Sequence, residues 1–315
     1  MGHAECNADC QTVTDNSGQR HQHNDVSATS RRNFLKLSAL GAAVLGSAGF
    51  AFSQSALASP GKKAGIGLQL YTVRDLMAQN VASTLQLVAA VGYTELEFAG
   101  YYNQPVASLK KILDGEGLTA PSCHVPLEAL QSNLGLVIEQ AKTLGHHYVV
   151  LPYLTTEQRG TDISRYQQLA EQLNKFGEQC RAAGLQMVYH NHDFEFQPVS
   201  GQVPYDVLLK ETDADLVKME LDLYWTVKAG LDPLQLFAKH PGRFPLWHVK
   251  DMGKAGELAD VGTGTIDFKR IFEKAEQAGL KHHFIEHDES SNKIQTIRRG
   301  FETVSAILQR PAKAG

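Results

Sequence analysis

The stretch AAGLQMVYHNHDFEF, residues 182–196, contains the pattern that decides the fold. Gly184 follows a helical segment, and glycine in that place adopts the left-handed conformation that ends a helix. The apolar run at residues 185–189 then indicates a buried strand. Two histidines, an asparagine, an aspartate and a glutamate follow within residues 190–195, where that strand ends. A helix, a glycine, a strand and a polar strand end are the parts of one α/β repeat.

The same order of signals recurs from residue 65 onward. Glycines end helical segments at Gly92, Gly117, Gly145, Gly184 and Gly279, and a short apolar run follows each of them. We predict strands near residues 65–71, 94–98, 119–124, 147–152, 186–191, 216–222, 244–249 and 282–286. Helices are predicted between them, including 163–183, 204–211 and 267–278. Eight such units in about 250 residues are typical of a (β/α)8 TIM barrel, a single α/β domain that we predict for residues 59–315.

An open, doubly wound α/β sheet is the alternative fold. Its dinucleotide-binding form carries the motif G-x-G-x-x-G directly after the first strand. No such motif follows residues 65–71. The barrel is therefore favoured over the dinucleotide-binding sheet.

Residues 1–58 are predicted to be a signal peptide that precedes the barrel. The segment at 30–36, SRRNFLK, matches the twin-arginine (Tat) signature S-R-R-x-F-L-K. The soft apolar stretch at 37–52 is short for a membrane span, and Ala56-Leu57-Ala58 supplies a cleavage site. We expect export by the Tat machinery, a periplasmic or secreted mature chain that begins at Ser59, and no stable membrane insertion after cleavage. An uncleaved N-terminal anchor is the alternative.

Composition and charge narrow the possible partners. The 315 residues carry a formal net charge of −4, with 43% hydrophobic and 20% charged residues. This charge provides no basic surface for a nucleic acid, so none is predicted as a partner. Two of the four cysteines lie in the predicted signal peptide. We expect the other two, Cys123 and Cys180, to be free thiols rather than a disulfide.

Alternation along the strands separates side chains that face the barrel axis from side chains that face the helices. In the sixth strand, apolar residues at 217, 219, 221 and 223 alternate with polar ones. The side chains predicted to face the axis are Gly67, Gln69 and Tyr71 in the first strand and Lys218, Glu220, Asp222 and Tyr224 in the sixth. The polar groups therefore collect at the C-terminal ends of the strands, where barrel enzymes carry their chemistry.

The polar strand ends predict a metal centre beside a substrate site. The predicted metal ligands are His190, Asp222, His248 and Glu286, from strands five to eight. Mixed nitrogen and oxygen ligands suit one Mn²⁺, Co²⁺, Zn²⁺ or Fe²⁺ ion better than Ca²⁺. The predicted substrate-binding residues are Gln69, Tyr71, Glu97, His124, Glu195 and Trp225, and the predicted catalytic residues are His192, Glu286 and Lys250.

Structural roles are the alternative for several of these residues. A single axis-facing histidine in a barrel is usually a hydrogen-bonded core residue. Glu195 fits a surface loop as well as a substrate contact, and Trp225 fits core packing as well as sugar stacking. The choice between His190 and His192 as the ligand from strand five also stays open.

The motifs together resemble the xylose isomerase-like TIM barrel superfamily, often called the sugar phosphate isomerase/epimerase family. They are GLQLYTVRD at 67–75, LEFAGYY at 96–102, YHNHDFEF at 189–196, ELDLYW at 220–225, HVKD at 248–251 and FIEH at 284–287. In the epimerases of that superfamily, a Glu, an Asp, a His and a second Glu hold the metal, and the glutamates move the protons. Asp222, His248 and Glu286 match the last three ligands, whereas a histidine stands at the first. The resemblance implies a metal site and leaves the two-glutamate mechanism in question.

The resemblance also implies an enzyme that acts on a sugar or keto-sugar. A metal and a base would remove a proton next to the sugar carbonyl through an enediolate, giving isomerisation or epimerisation. A lyase or hydratase that acts on 3-keto sugars or glycosides by β-elimination is the alternative reaction. A periplasmic sugar-binding protein without catalysis is the alternative from another class. The acidic, exported chain does not fit the endonuclease branch of the superfamily, which needs a basic groove for DNA.

Overall fold

The computed structural model describes residues 65–309, which form a closed barrel of eight parallel strands. The predicted signal peptide and its cleavage site lie outside these residues. The strands are β1 Gly67–Gln69, β2 Glu95–Ala99, β3 Thr119–His124, β4 Tyr148–Leu151, β5 Gln186–His190, β6 Val217–Asp222, β7 Leu246–Val249, the short pair β8 Asp251–Met252 and β9 Leu258–Ala259, and β10 His282–Ile285. Around the barrel the order is β1-β10-β7-β6-β5-β4-β3-β2, with β8 and β9 in a separate antiparallel ribbon. The predicted TIM barrel is confirmed.

Helices connect the barrel strands and cover the outside of the barrel. They are α1 Arg74–Gln79, α2 Val81–Val91, α3 Val106–Glu116, α4 Leu127–Leu144, α5 Thr156–Arg159, α6 Ser164–Ala182, α7 Pro204–Glu211, α8 Leu223–Lys228, α9 Pro233–Lys239, α10 Phe268–Phe272, α11 Ala275–Ala278 and α12 Lys293–Leu308. Short 3-10 turns occupy Leu70–Val73 and Phe194–Phe196. Among the helices of residues 65–309, none has the length and apolar character that a membrane crossing requires.

Glycines end helices where the sequence pattern predicted. Gly145 follows α4 with a φ of 81°, and its backbone N–H donates to Ala141 of the last turn. This left-handed conformation favours glycine because it has no Cβ. Two residues later, the His147 N–H donates to the Pro121 carbonyl at 2.7 Å, so the chain has already joined the neighbouring strand. The chain thus passes from α4 to β4 within three residues of Gly145.

An apolar layer fills the barrel below the polar strand ends. It consists of the fully buried side chains Val150, Val188, Leu246 and Phe284. The last three of these lie two positions before His190, His248 and Glu286, on the same face of their strands. A separate and larger cluster packs the outer faces of the strands against the helices, and it includes the helix-facing residues predicted for β6. The polar strand ends therefore pack directly above a buried layer of apolar side chains.

Two tyrosines predicted to face the axis lie on helical turns instead. The Gln69 side chain accepts the Tyr71 N–H at 3.0 Å and starts a 3-10 turn directly after β1. Asp222 Oδ1 accepts the Trp225 N–H at 2.9 Å and caps α8, on which Tyr224 lies. These caps stop both strands where the alternation of polar and apolar residues continues. Periodicity alone therefore extended the first strand past Gln69, whereas β6 ends at Asp222 as predicted and only the orientation of Tyr224 beyond it was wrong.

Other predicted elements need smaller adjustments. The helix predicted at 204–211 is α7, with the same bounds, and the one predicted at 163–183 is α6. The helix predicted at 267–278 is divided into α10 and α11. Cys123 and Cys180 are buried free thiols.

Candidate active site

Carboxylates, imidazoles and one ammonium group form a cluster at the C-terminal end of the barrel. Its members are Gln69, Glu97, Ser122, His124, His190, Glu220, Asp222, His248, Lys250 and Glu286, and all except His124 are buried. Strand pairing sets the neighbours, because Asp222 lies beside His248 in the β6–β7 register and His190 beside Glu220 in the β5–β6 register. The structure thus brings together nearly all of the polar strand ends that the sequence pattern placed on the axis.

Three predicted metal ligands form what we call the ligand group, Asp222, His248 and Glu286. Their donor atoms all lie within 4.8 Å of one another. His248 Nδ1 is 2.7 Å from Glu286 Oε2 and 3.8 Å from Asp222 Oδ2. His190 borders the group, with its Nε2 at 3.9 Å from Asp222 Oδ2. The four residues predicted to hold a metal therefore adjoin one point.

Lys250 lies against two carboxylates of the ligand group. Its Nζ is 3.0 Å from Asp222 Oδ2, 2.7 Å from Glu286 Oε2 and 3.1 Å from Asp288 Oδ1. Burial disfavours the ammonium form, but the three carboxylates outweigh it and raise the pKa of Lys250 well above its usual value. Lys250 is therefore a fixed positive charge beside the ligand group, and this charge state is unsuited to a general base.

A second set of side chains, Glu97, His124 and Glu220, forms what we call the lower layer. His124 Nε2 lies 2.9 Å from Glu220 Oε2 and 3.2 Å from Glu97 Oε2. His248 Nε2 lies 2.6 Å from Glu97 Oε2, so this ring joins the lower layer to the ligand group. Burial, together with the nearby charge of Glu97, raises the pKa of Glu220 to about 7. His190 Nδ1 also approaches Glu220 Oε2, at 3.3 Å.

The donor atoms of this cluster fit a divalent transition metal. Within residues 65–309, Asp222 Oδ2 and His248 Nδ1 are buried and have no partner in hydrogen-bond geometry, although charged groups are close. A cation bound between these two atoms would give both of them a direct partner. Imidazole nitrogen and carboxylate oxygen together are the donors of Zn²⁺, Mn²⁺, Co²⁺ and Fe²⁺ sites. Burial disfavours protonation of His248, but Glu220 and Glu286 raise its pKa well above the usual value, so a proton and a metal compete for it.

His192 lies beside the ligand group, in an aromatic wall at the barrel mouth. Its ring stacks on Phe194 with centroids 5.4 Å apart and lies 5.2 Å from Tyr153 and 5.3 Å from Trp225. The His190 ring is 5.1 Å away. Burial and the charge of Lys250 hold the pKa of His192 well below its usual value. His192 is therefore a neutral imidazole next to the candidate metal ligands.

Glu195 supports the turn that carries His192. Its Oε2 accepts the His192 backbone N–H at 2.8 Å, and its Oε1 accepts the Tyr189 hydroxyl at 2.6 Å. The side chain is fully buried. Both oxygens are engaged inside the turn, so the prediction that Glu195 binds a substrate has to be corrected to a supporting role.

The other predicted substrate-binding residues lie at two depths. Gln69 and Glu97 are fully buried, and Gln69 Nε2 donates to Glu97 Oε2 at 2.8 Å. Tyr71, His124 and Trp225 are only partly buried at the C-terminal end of the barrel. These last three are the ones placed where a substrate could meet them.

Sequence reasoning assigned no role to Ser122 and Glu220 of the cluster, or to Asp288 beside it. Alternation placed Glu220 on the axis, but nothing in the sequence showed that it meets His124 and His190. Asp288 pairs with Lys250 from the loop after β10. Its signal was its spacing of two residues from Glu286, which continues the axis-facing pattern beyond the strand.

Sequence comparison identifies the family. The profile of the xylose isomerase-like TIM barrel family matches residues 85–306, more than half of the chain. The chain belongs to this family. In this xylose isomerase-like barrel, the matched region contains β2 to β10 and every residue of the ligand group and the lower layer.

Several proteins are similar to this xylose isomerase-like barrel. The inosose dehydratase of Lacticaseibacillus casei is 30% identical over 132 residues, 36% of this chain and 44% of that enzyme. The inosose dehydratase of Geobacillus kaustophilus is 25% identical over 232 residues, 60% of this chain and 74% of that enzyme. A crystal structure of a sugar phosphate isomerase/epimerase from Parabacteroides distasonis has a TM-score of 0.66 and 27% identity, covering 80% of this chain and 98% of that one. The chain spans less than half the length of the first of these relatives.

Proposed function

We propose that this protein is a divalent-metal-dependent enzyme that removes a proton next to the carbonyl group of a sugar or keto-sugar. The observation that carries the proposal is the ligand group, Asp222, His248 and Glu286, with the neutral ring of His192 beside it. Similarity to proteins named sugar phosphate isomerase/epimerase and inosose dehydratase supports a carbohydrate or cyclitol substrate. Isomerisation or epimerisation is the reaction proposed first.

Proton removal is divided among His192, the ligand group and Lys250. His192 accepts the carbon-bound proton, because its ring is held neutral and so has a free lone pair. Bound by the ligand group, a divalent ion would supply the Lewis acidity that stabilises the enediolate charge. Lys250 favours the ionised forms of Glu286 and of Asp222, although burial raises the pKa of Asp222 to about 6, and its own positive charge favours an anionic transition state.

The fate of the enediolate distinguishes the two candidate reactions. In isomerisation, His192 returns the proton to the neighbouring carbon. In epimerisation, a second acid on the opposite side of the substrate, for which Glu286 is the candidate, delivers a proton to the other face of the same carbon. In β-elimination, the carbon–oxygen bond one position further breaks, and the leaving hydroxyl or alkoxide takes a proton. The similarity to inosose dehydratases favours elimination as the second candidate. Both reactions begin with the same proton removal.

Hydrogen exchange tests whether the protein is an enzyme of this kind. We expect the metal-loaded protein in D₂O to introduce deuterium at the carbon next to the carbonyl of at least one ketose, keto-sugar or keto-inositol. Proton NMR follows loss of the carbon–hydrogen signal and also reports an isomer or an unsaturated product. Metal-free protein is the control and should show only the slow background exchange. Saturable binding of a sugar with no metal-dependent exchange would instead indicate a non-catalytic sugar-binding protein.

We also propose that the protein is exported by the Tat route, on the basis of SRRNFLK at 30–36 and the cleavage motif at 56–58. Replacing Arg31 and Arg32 with lysine is expected to keep the protein in the cytoplasm of a bacterial host that has this route. Lysine at Arg298 and Arg299, a second arginine pair far from the signal, is the matched control and should leave export unchanged. Cell fractionation measures both, and N-terminal sequencing of exported protein should start at Ser59. A start before Ser59 would exclude this cleavage site.

A further inference from the structure

The carboxylate of Glu97 lies on the opposite side of the His248 ring from the ligand group. His248 Nδ1 faces Glu286 Oε2 at 2.7 Å, whereas Nε2 faces Glu97 Oε2 at 2.6 Å and, less closely, Glu220 Oε2 at 3.3 Å. An imidazole that binds a metal through one nitrogen must carry its hydrogen on the other. The partner of Nε2 therefore decides whether Nδ1 presents a lone pair or a hydrogen.

The surroundings of Glu97 leave it only the role of acceptor. Gln69 Oε1 accepts the Tyr71 N–H at 3.0 Å, which fixes the amide so that its Nε2 donates to Glu97 Oε2 at 2.8 Å. The Ser122 hydroxyl donates to the other oxygen, Glu97 Oε1. The Glu97 side chain is fully buried, and the His124 and His248 rings approach its Oε2 at 3.2 and 2.6 Å. Glu97 thus has donors facing both of its oxygens.

We propose that Glu97 is a positioning residue that holds the hydrogen of His248 on Nε2 and so presents the Nδ1 lone pair to the metal. This inference rests on the proposed metal-dependent function, and it gives a fully buried carboxylate a role other than substrate contact. Histidine ligands commonly donate their second N–H to a carboxylate, which sets the tautomer and the ring orientation. Here the carboxylate is itself held in place by Gln69 and Ser122.

Glutamine at position 97 is the informative substitution because it changes one oxygen into a donor. If the new NH₂ group faced His248, it would oppose the Nε2 hydrogen and favour the tautomer with hydrogen on Nδ1, which cannot bind a metal through Nδ1. If it faced Ser122, the hydroxyl would have to turn away, and the remaining amide oxygen would be a weaker acceptor than a carboxylate. Either outcome weakens the positioning of His248.

Metal affinity and the state of the ring test the inference. We expect Glu97→Gln to weaken Zn²⁺ binding about 10- to 100-fold in competition with a chromophoric chelator. Glu97→Asp keeps the charge and should lose less. Glu95→Gln, a change at the carboxylate two residues earlier in β2, which pairs with His282 at 2.7 Å, is the matched control and should bind Zn²⁺ as wild type does. Unchanged Zn²⁺ affinity in folded Glu97→Gln protein would overturn the inference.

Nitrogen NMR of the wild type gives a test that does not depend on how well the variant folds. In Zn²⁺-loaded protein labelled with ¹⁵N-histidine, we expect the His248 hydrogen on Nε2 and the metal shift on Nδ1. A hydrogen on Nδ1 would overturn the inference. Measured alongside, Asp222→Ala separates the two proposals. If Asp222→Ala loses Zn²⁺ while Glu97→Gln does not, the proposed role of Glu97 is contradicted and the ligand group is not. If Asp222→Ala retains Zn²⁺ as wild type does, the assignment of the ligand group is contradicted.

Discussion

Replacing Asp222 with alanine is expected to remove most of the bound metal and nearly all of the activity. Asp222 contributes a fully buried carboxylate to the ligand group, 3.8 Å from His248 Nδ1. Purified wild-type protein should carry about one divalent transition metal per chain, removable by a chelator. Losing the charge stabilisation that this metal supplies, several kcal/mol, should lower turnover by a factor on the order of 1,000. Elemental analysis and the exchange rate in D₂O measure the two effects.

Asp222 also caps α8, so the comparison needs a variant that loses a cap alone. Asp232 caps α9 through the Leu234 N–H at 3.0 Å and pairs with Arg270 at the surface. Asp232→Ala should therefore lose about 1 kcal/mol of stability, as cap removal does, and keep its metal. Full metal occupancy in a variant that combines Asp222→Ala with His248→Ala would show that the ligand group does not hold the metal.

Replacing His192 with glutamine is expected to leave the metal in place and to lower turnover by a factor on the order of 100 or more. The reason is the position of the ring, which lies 5.1 Å from the His190 ring and is surrounded by Phe194, Tyr153 and Trp225. It adjoins the ligand group without belonging to either set of candidate ligands. Glutamine keeps a polar side chain of similar length but cannot accept a proton near neutral pH. Turnover and metal content are measured on the same preparations.

His190→Gln and His147→Gln complete the comparison. His190 Nε2 lies 3.9 Å from Asp222 Oδ2, so His190→Gln should weaken metal binding. His147 is exposed at the start of β4, and its replacement should change neither metal content nor turnover. Exchanged phenotypes for His190 and His192 would mean that the ligand and the base are the other way round. Normal turnover in both variants would exclude β5 from the chemistry.

The barrel could be predicted from the sequence because each α/β repeat is marked by signals between residues that are close in the chain. A glycine such as Gly145 ends a helix through its own backbone conformation, and the strand that follows is a continuous apolar run. These signals need no knowledge of distant residues. The strand end at Gln69 and the orientation of Tyr224 were harder, because at both places a side chain accepts a backbone N–H two or three residues later and starts a helical turn. Periodicity does not register such a cap.

The candidate site could be predicted only as a set of side chains and not as an arrangement. Alternation placed Glu97, His124, Glu220 and His248 on the axis, yet their contacts cross the barrel between β2, β3, β6 and β7. Such contacts depend on how the closed barrel staggers its strands, which no local pattern encodes. The role of Glu195 could not be predicted for a similar reason. Its hydrogen bond from the Tyr189 hydroxyl forms only when the turn folds back over β5.

The most direct test of the proposed metal centre is anomalous diffraction from crystals of the mature protein grown with Zn²⁺. We expect one strong peak about 2.0–2.2 Å from Asp222 Oδ2, His248 Nδ1 and Glu286 Oε2, the usual range for zinc bound by nitrogen and oxygen. Residues 65–309 offer one competing place, because His124, His190, Glu220 and His248 also have donor atoms within 4.8 Å of one another. A peak centred there, or no peak in the barrel at saturating Zn²⁺, would contradict the assignment of the ligand group.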